Sequence, residues 1–535
     1  MFPLLQVLII RGCPKLLGLP LSNHIVSPKP DQDWNIDWFP KLRSLNIKKC
    51  PEFLAPYIPW TKTLRSVKLG GLKLLEKLQY SSESSDVSII GKDDLQSLDQ
   101  VLAFTNLTGL EQLTLRKCPP LESKHLLILT SLKKLDADSL DGMVGPLGGG
   151  GDVEWQLPVE RLVVGGYRGA SGKESTELLT HLPRLSELDI GSCKKITQLA
   201  VGVDVQQHTM SAAASEPEVE EDRTMSATSE VEEEDGLLLF PAHLSDSLRE
   251  LYIEGCRELA LVDPSTSFPA RGGGGQGGLQ TLRSLQSLRI IYTPKFLSAI
   301  SSFSCCLFPS SLQDLSLTGV EGMGMLEPLS NLTSLTELQF WDCGKDLRCK
   351  GLEPLLTAGG QLRELYVCGS PRFFDGWDPN PRRVLLLQDD GGEEQLVPPP
   401  AVYSSKLQML STDDVVGLLV APICSFLSSS LTHLSLYGNG EMEHFTEEQE
   451  DSLHLLASLQ QLKFNYFGKL QHLPAGLHKL TNLKWLEVDS CPAVRSLPKD
   501  GLPKSLQELD VCACDNEELI QQCRGLVGTI PEVIL

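Results

Sequence analysis

The chain has 535 residues, a formal net charge of −22 at pH 7 and 41% hydrophobic residues. Length alone would predict three or four globular domains. The charge argues against nucleic acid as a main partner, because phosphate binding needs clustered lysine and arginine. The longest nearly apolar stretch, residues 416–427, is about 12 residues long and contains Pro422, so it is too short to span a bilayer.

One pattern, LxxLxLxxC with Ile or Val allowed at its third apolar position, recurs from the start of the chain to its end, for example at residues 5–13, 42–50 and 483–491. The apolar triplet occurs 17 times, mostly at spacings of 22 to 28 residues. Its first positions are Leu5, Leu42, Leu64, Leu110, Leu132, Val159, Leu185, Leu248, Leu285, Leu312, Leu335, Leu362, Leu407, Leu431, Leu459, Leu483 and Leu506. This is the period and signature of leucine-rich repeats.

We number each repeat from its first apolar residue, so that the triplet occupies positions 1, 4 and 6. Positions 4 and 6 are two residues apart, as on one face of a strand, and positions 5 and 7 therefore point the other way. Apolar residues of stacked repeats form a core that no single repeat can bury. The pattern predicts an α/β leucine-rich-repeat solenoid, a curved horseshoe with a parallel β-sheet on its concave face. Short helices, 3₁₀ turns and loops are expected on the convex face.

Eight of the 15 cysteines stand at position 9 of a repeat. They are Cys13, Cys50, Cys118, Cys193, Cys256, Cys343, Cys491 and Cys514. We predict that these are small buried side chains whose thiols satisfy backbone groups where the chain leaves the strand. The nearest candidate for a metal site is Cys512, Cys514 and Cys523, which is a weak pattern without zinc-type spacing. Free thiols in this number favour a reducing compartment.

Several segments interrupt the repeats. Residues 81–96 lengthen the third repeat, and glycine runs at 148–151 and 272–278 indicate flexible joints. Residues 216–235 hold ten acidic residues against Arg223 alone, which predicts a disordered loop. This loop is either a solvated insertion without function or a regulatory or partner-binding element.

The interruptions predict three arrays of repeats separated by two loops. The predicted domains are repeats at 1–200, an acidic disordered insertion at 201–240, repeats at 241–374, a Gly/Pro/acidic loop at 375–400 and repeats at 401–535.

Residues 165–174 imitate a phosphate-binding loop. They follow a predicted strand and contain Gly172-Lys173, but Tyr167 stands where the Walker pattern needs glycine. Glu174 stands where the pattern needs a hydroxyl, and its charge would repel phosphate. No GxSxG, HExxH or kinase motif occurs. We therefore predict no catalytic residue, no cofactor, no bound metal and no enzymatic activity.

The predicted working surface is the concave sheet, at positions 5 and 7 of the repeats. Early repeats place basic residues there: Arg11, Lys48, Lys68 and Arg116. Late repeats place acidic residues there: Asp413, Glu487, Asp489 and Asp510. Aromatic residues, which are favoured at binding hot spots, are frequent in the second half. The predicted partner-binding residues are Trp341, Tyr366, Tyr437, Trp485, Glu487, Asp489 and Asp510. The alternative is that the aromatic residues pack on loops or on one another.

Proline follows the position-9 cysteine in four repeats, at Cys13-Pro14, Cys50-Pro51, Cys118-Pro119 and Cys491-Pro492. In this feature, and in the closing segment LPAGLHKLTNLKWLEVDSCPAVRSLPKDGLPKSLQELDVCACDNEEL, the chain resembles plant disease-resistance proteins of the nucleotide-binding leucine-rich-repeat family (NB-ARC-LRR). The cereal coiled-coil type is the most similar. The resemblance covers nearly the whole chain and is confined to the family's repeat region.

The resemblance implies a role in plant innate immunity and the defence response. Repeats of this family sense a pathogen effector or a guarded host protein, and they help to hold a nucleotide switch at rest. The implied partners are proteins, including the nucleotide-binding domain of a full receptor. This sequence contains neither the family's coiled coil nor its P-loop domain, so ADP binding is carried over to no residue here. We interpret the chain as a repeat region that is a fragment, a truncated product or part of a longer receptor.

Two further expectations concern location and association. No secretory signal precedes the first repeat, so we expect a cytoplasmic protein, with the nucleus and the plasma-membrane periphery as alternatives. The first strand, near residues 5–10, lacks a polar capping repeat and would leave an edge open to pairing. We therefore expect the isolated chain to associate. The alternative function is a stand-alone intracellular scaffold, such as the substrate-recognition arm of a ubiquitin ligase.

Overall fold

The computed structural model describes residues 2–17, 39–53, 63–102, 104–138, 156–165, 171–203, 236–262, 275–300, 307–357, 359–379, 405–438, 440–514 and 516–535. They form two compact units, Met1–Ser284 and Leu285–Leu535, called unit 1 and unit 2 below.

All 17 predicted repeats contain a strand that begins two residues after the first apolar position. In unit 1 the strands are β1 (Val7–Arg11), β2 (Ser44–Lys48), β3 (Ser66–Gly70), β4 (Leu75–Ser81), β5 (Asp86–Gly91), β6 (Gln112–Arg116), β7 (Lys134–Ala137), β8 (Arg161–Gly165), β9 (Glu187–Gly191), β10 (Gln198–Val203), β11 (Leu237–Phe240), β12 (Glu250–Glu254), β13 (Ala260–Leu261) and β14 (Gly275–Gly277). In unit 2 they are β15 (Ser287–Ile291), β16 (Asp314–Thr318), β17 (Glu337–Trp341), β18 (Glu364–Cys368), β19 (Met409–Thr412), β20 (His433–Tyr437), β21 (Gln461–Asn465), β22 (Trp485–Asp489), β23 (Glu508–Cys512) and β24 (Glu532–Ile534).

The strands alternate between a buried and an open face. In β17, Leu338 and Phe340 are fully buried, whereas the three residues around them are half-buried. Leu338 lies in register with Leu315 on one neighbouring strand and with Leu365 on the other, so positions 4 and 6 stack into continuous apolar layers. Burying one such side chain contributes about 1.5–3 kcal/mol. The side of the sheet that carries positions 3, 5 and 7 is called the open face.

Unit 2 has the simpler order. Its strands pair in parallel from β15 to β24 in chain order, each with the next. This register, together with the repeat, confirms the predicted fold class, an α/β leucine-rich-repeat solenoid with a parallel sheet.

Unit 1 contains a hairpin that the repeat pattern does not predict. Strands β1, β2 and β3 pair in parallel, β3–β4 and β4–β5 pair antiparallel, and β5 continues a parallel ladder through β6, β7, β8, β9 and β12. The interpretation of residues 81–96 as an interruption is therefore wrong for β5. Val87 and Ile89 are buried while their neighbours are not, so this segment has the period of a strand outside the LxxLxL template.

A second sheet in unit 1 corrects the ends of the predicted acidic insertion. Strand β10 pairs in parallel with β11 and β13, and antiparallel with β14. Residues 201–203 and 237–240 are therefore strand rather than disordered loop, and Leu238 and Phe240 are buried. The acidic part, residues 216–235, lies outside the described residues, as do residues 148–151 and 380–400.

The helices are short, as expected for the segments between strands. They are α1 (Ser123–Leu126), α2 (Gly172–Thr180), α3 (Leu244–Ser247), α4 (Glu353–Leu356), α5 (Val415–Leu418), α6 (Ala421–Leu427), α7 (Glu447–His454) and α8 (Glu517–Arg524). The 3₁₀ turns are Leu98–Gln100, Phe104–Asn106, Leu279–Thr281, Glu327–Leu329 and Ala475–Lys479. In the described parts of the chain, no helix combines the length and apolar character that crossing a membrane requires.

The segment that imitates a phosphate loop contains the start of α2. The Ser171 hydroxyl oxygen accepts a hydrogen bond from the Glu174 amide, and the Glu174 carboxylate accepts one from the Ser171 amide at 3.1 Å. This is a capping box, which satisfies two free amides at the helix start. Glu174 therefore caps its own helix. Residues 166–170 lie outside the described residues.

Position 8 turns the chain out of the strand. Of the nine described non-glycine residues with positive φ, all but Ser85 stand at this position. Six of these eight amides extend the ladder by one bond, as in Tyr466, whose amide donates to the Asp489 carbonyl at 3.0 Å. The Lys117 amide donates instead to the Asp138 carboxylate at 2.9 Å.

Position 9 follows this turn. The Cys343 thiol donates to the carbonyl of Leu317 in the preceding repeat at 3.1 Å, and the carbonyl of Trp341 lies at 3.5 Å. Six of the eight position-9 cysteines are buried, but Cys13 is exposed and Cys118 is half-buried, so the prediction is wrong for these two. Cys13 belongs to the first repeat, which has a described neighbour only on the β2 side. Cys118 borders the hairpin strand β5, which has no position 9 of its own.

Candidate interaction surface

The predicted partner-binding residues all lie on the open face of unit 2, and all are half-buried. Trp341 ends β17, Tyr366 is central in β18, Tyr437 ends β20 and Trp485 begins β22. Glu487 and Asp489 follow on β22, and Asp510 lies on β23.

Trp341 and Tyr437 form an aromatic contact that spans two intervening strands. Their ring centroids are 6.0 Å apart and their planes meet at 86°, the edge-to-face arrangement that aromatic pairs prefer. Between them, position 7 of β18 is Cys368, which is only 8% exposed. The two rings therefore meet across the strands that carry this nearly buried thiol and Asp413.

Tyr466 extends this contact, and sequence reasoning missed it. Its ring stacks on Tyr437 with centroids 6.3 Å apart and planes 18° apart, and the residue is 60% exposed. Tyr466 stands at position 8, which the repeat template assigns to the turn. Its φ is 59°, and its ring lies against Tyr437 of the preceding repeat. Trp341, Tyr437 and Tyr466 are called the ring cluster below.

The other two predicted aromatic residues lie beside the ring cluster, and no contact with its rings is described for either. The Tyr366 hydroxyl donates to the Glu364 carboxylate at 2.8 Å, and burial followed by this hydrogen bond raises the pKa of Tyr366. Trp485 packs against Lys463, whose Nζ lies 4.4 Å from the ring centroid. Lys463 Nζ also lies 2.8 Å from the Glu487 carboxylate. The four predicted aromatic residues thus belong to more than one group.

The predicted acidic residues have different roles. Glu487 and Asp510 are in register on neighbouring strands, and a hydrogen bond to the Asp510 carboxylate raises the pKa of the Cys512 thiol. Asp413 accepts hydrogen bonds from the amides of Gly369 at 3.1 Å and Ser370 at 3.3 Å, and burial raises the pKa of its carboxyl. Asp413 therefore caps the turn of the preceding repeat and is less available to a partner than predicted.

The basic residues predicted on the early repeats lie on unit 1. Arg116 pairs with Asp136 at 2.7 Å and with Asp138 at 2.6 Å, so its guanidinium is already engaged within the chain.

The weak cysteine pattern is not brought together. Cys512 is exposed on the open face, whereas Cys514 and Cys523 are buried. In the described ranges, one group of three side chains has metal-ligand geometry: Asp99, Glu122 and His125.

Internal contacts already engage that group. His125 Nδ1 accepts from the Glu122 amide at 3.2 Å, and its Nε2 lies 2.8 Å from the Asp99 carboxylate. Lys124 pairs with both carboxylates, at 2.7 Å and 2.9 Å. The arrangement anchors a fully buried histidine and leaves no free ring nitrogen to bind a metal.

The ring cluster makes a prediction about Cys368. Burial, followed by Asp413 and Asp342, raises the pKa of its thiol to about 12. Trp341→Ala should expose the Cys368 thiol to water, so the pKa of this thiol should fall. At pH 8, each fall of one pKa unit raises the fraction of Cys368 that is thiolate by about tenfold. We expect alkylation of Cys368 by iodoacetamide to speed up by about tenfold, measured by mass spectrometry with exposed Cys512 as internal reference. Trp485→Ala is the control, and equal rates in both variants would show that Trp341 does not cover the thiol.

No protein-family model and no curated protein sequence matches the chain. Among solved structures, an internalin of Listeria monocytogenes is 14% identical, with 81% of this chain and 88% of that chain covered and a TM-score of 0.34. A leucine-rich-repeat protein of Leptospira interrogans is 18% identical, with 81% of this chain and 91% of that chain covered and a TM-score of 0.37. A chain of the Toll–Spatzle complex of Drosophila is 14% identical, with 81% of this chain and 50% of that chain covered and a TM-score of 0.40.

Identities and scores at this level carry no functional argument. The 17 repeats and the parallel register of their strands establish the fold from this chain alone. The chain is a leucine-rich-repeat protein.

Proposed function

We propose that the open face of unit 2 is the protein-binding surface of the repeat region of a plant disease-resistance receptor. The partner would be a pathogen effector or a guarded host protein, and in a full receptor also the nucleotide-binding domain. The observation that carries the binding role is the ring cluster. The plant assignment is supported by the Cys-Pro repeats and by the closing segment, residues 473–519.

The ring cluster lies outside the buried layers of the fold. The buried layers at positions 1, 4 and 6 supply the apolar core, and Leu338, Leu365 and Leu434 are all 1% exposed or less. Large aromatic side chains on the open face add area that water contacts until a partner covers it. Tyrosine and tryptophan dominate the binding energy of many protein interfaces because they lose little conformational freedom on binding.

The proposal gives the chain no catalytic group and no cofactor. Nucleotide binding would belong to a separate domain of a full receptor, and the repeat region would work in the cytoplasm. A stand-alone scaffold, such as a substrate-recognition arm of a ubiquitin ligase, is the second candidate, because the same surface would serve it.

The size of the native product separates these two candidates. An antibody raised against residues 405–535 would be used on blots of plant tissue that expresses the sequence. A band well above the 58.7 kDa of this chain supports the sensor region of a receptor. A band at that mass supports the free-standing scaffold and contradicts the receptor proposal.

The placement of the surface is tested by the variant Trp341→Ala/Tyr366→Ala/Tyr437→Ala/Trp485→Ala. We expect it to lose a partner that the native chain retains in affinity purification from the same tissue, while its circular dichroism and melting temperature stay near native. Tyr292→Ala is the control, because Tyr292 is an equally exposed tyrosine of unit 2 outside the predicted surface. A quadruple variant that binds its partner as tightly as the native chain would reject this placement.

A further inference from the structure

The open face of unit 2 carries an excess of negative charge. Positions 3, 5 and 7 of its repeats, with Glu532 on β24, hold nine carboxylates and two cations, none of them buried. The carboxylates are Asp314, Glu337, Glu364, Asp413, Glu487, Asp489, Glu508, Asp510 and Glu532, and the cations are Arg289 and Lys463. A surface of this charge attracts basic partners and repels acidic ones.

The open face of unit 1, by contrast, is nearly balanced. On the repeats of β1–β3, β6–β9 and β12, and on β5, it has six cations and seven carboxylates. The cations are Arg11, Lys48, Lys68, Arg116, Lys134 and Arg161, and the carboxylates are Asp86, Asp136, Asp138, Glu187, Asp189, Glu250 and Glu254. The negative excess is therefore a property of the unit that also carries the ring cluster.

Lys463, on the open face of unit 2, contacts both an aromatic ring and a carboxylate. The Lys463 ammonium lies 4.4 Å from the centre of the Trp485 ring and 2.8 Å from the Glu487 carboxylate. Both side chains of the ion pair are half-buried, with 30% and 18% exposure. A cation within about 6 Å of an aromatic ring centre is attracted to its face, and more strongly when the contact excludes water.

The ring cluster also combines aromatic rings with a carboxylate on the next strand, but without a cation among the described residues. Tyr466 is exposed and stacked on Tyr437, and its amide donates to the backbone of Asp489 on the next strand. The Asp489 carboxylate accepts from the Ser490 hydroxyl at 3.2 Å and has no cationic partner within the described ranges. The exposed ring of Tyr466, which follows β21, and the half-buried carboxylate of Asp489 on β22 therefore belong to adjacent strands of the open face.

We propose that the ring cluster and Asp489 bind an arginine side chain carried on a basic segment of the protein partner. This inference rests on the proposed binding function and names the chemistry of the partner. The planar guanidinium stacks on the exposed Tyr466 ring and pairs with the Asp489 carboxylate, a geometry that a compact ammonium matches less well. The surrounding carboxylates attract the rest of the segment.

The test uses the full chain and a fluorescein-labelled peptide of alternating glycine and arginine, with glutamine replacing arginine in the control peptide. Binding is measured by fluorescence polarisation. We expect Tyr466→Ala to weaken binding by about two- to fivefold, and Asp489→Asn to have a similar effect. Tyr292→Ala should leave binding unchanged, because Tyr292 has the same repeat position and the same 60% exposure but no described aromatic partner.

Attraction by the net negative charge of the open face, without a specific arginine site, would give a different result. If Tyr466→Ala and Tyr292→Ala behave alike, or if the glutamine peptide binds as well as the arginine peptide, the arginine site is overturned. If Tyr466→Ala folds poorly, Asp489→Asn tests the arginine site instead, and unchanged binding of the arginine peptide by that variant overturns the site. A tissue partner that is lost with the quadruple variant, together with peptide binding unaffected by Tyr466→Ala, would keep the proposed surface and reject only the arginine site. A partner retained by the quadruple variant would reject the surface itself.

Discussion

Phe464→Ala is expected to lower the free energy of unfolding of unit 2 by about 3–5 kcal/mol. Phe464 is fully buried at position 6 of β21 and is in register with Leu436 and Val488. Its ring lies 5.8 Å from that of Phe445 and 6.0 Å from that of Phe467. Removing it leaves a cavity between three strands that the neighbouring backbone, fixed by the parallel ladder, cannot close.

Hydrogen exchange with mass spectrometry localises the effect. Peptides from β20 to β22 should lose protection first, because each repeat is stabilised mainly by its neighbours. Tyr466→Ala is the matched control, since it removes a ring two residues away that is 60% exposed and should cost less than about 1 kcal/mol. Equal losses of protection in the two variants would contradict the assignment of Phe464 to the core.

The position of Phe464 was predictable from the sequence, whereas its contacts were not. Once the first apolar residue of a repeat is known, the two-residue period of a strand places positions 4 and 6 in the core and positions 5 and 7 on the open face. This reasoning located every repeat strand. Phe467 stands at position 9, which the sequence predicts to be buried. Phe445, by contrast, lies in the segment between strands β20 and β21, and such segments have no fixed spacing, so its contact with Phe464 was not predictable.

The hairpin of β4 and β5 and the role of Tyr466 were not predicted for the same reason, because neither belongs to the repeat template. The hairpin of β4 and β5 lies outside the LxxLxL template, although the apolar residues of β5 alternate as in a strand. Tyr466 lies at the turn position, to which the template assigns no place on either face, and its ring stacks on Tyr437. The template also could not show that Trp341 reaches across two strands to Tyr437. Repeat periodicity fixes where a residue stands on the sheet but not how far its side chain extends.

Residues 1–535, produced as a separate chain, are expected to associate through β1. This strand pairs with β2 along one edge, and no described strand lies on its other edge. Val7 and Ile9 on its open face are 53% and 55% exposed, and Leu8 and Ile10, whose equivalents in later repeats are buried, are only half-buried. An exposed apolar strand with free backbone groups is a template for pairing with another chain.

Val7→Lys/Ile9→Lys should therefore weaken self-association, measured by light scattering across a concentration series. Each apolar side chain that a partner chain would bury contributes about 1.5 kcal/mol, so losing both weakens the dimer on the order of a hundredfold. The added lysines oppose pairing further through charge, as they do at natural sheet edges. Val416→Lys is the control, because Val416 is 61% exposed at the start of α5, far along the chain from β1. A native chain that stays monomeric at the highest concentration would show that the β1 edge does not template pairing. An effect of Val416→Lys equal to that of the double variant would instead attribute the association to general hydrophobicity.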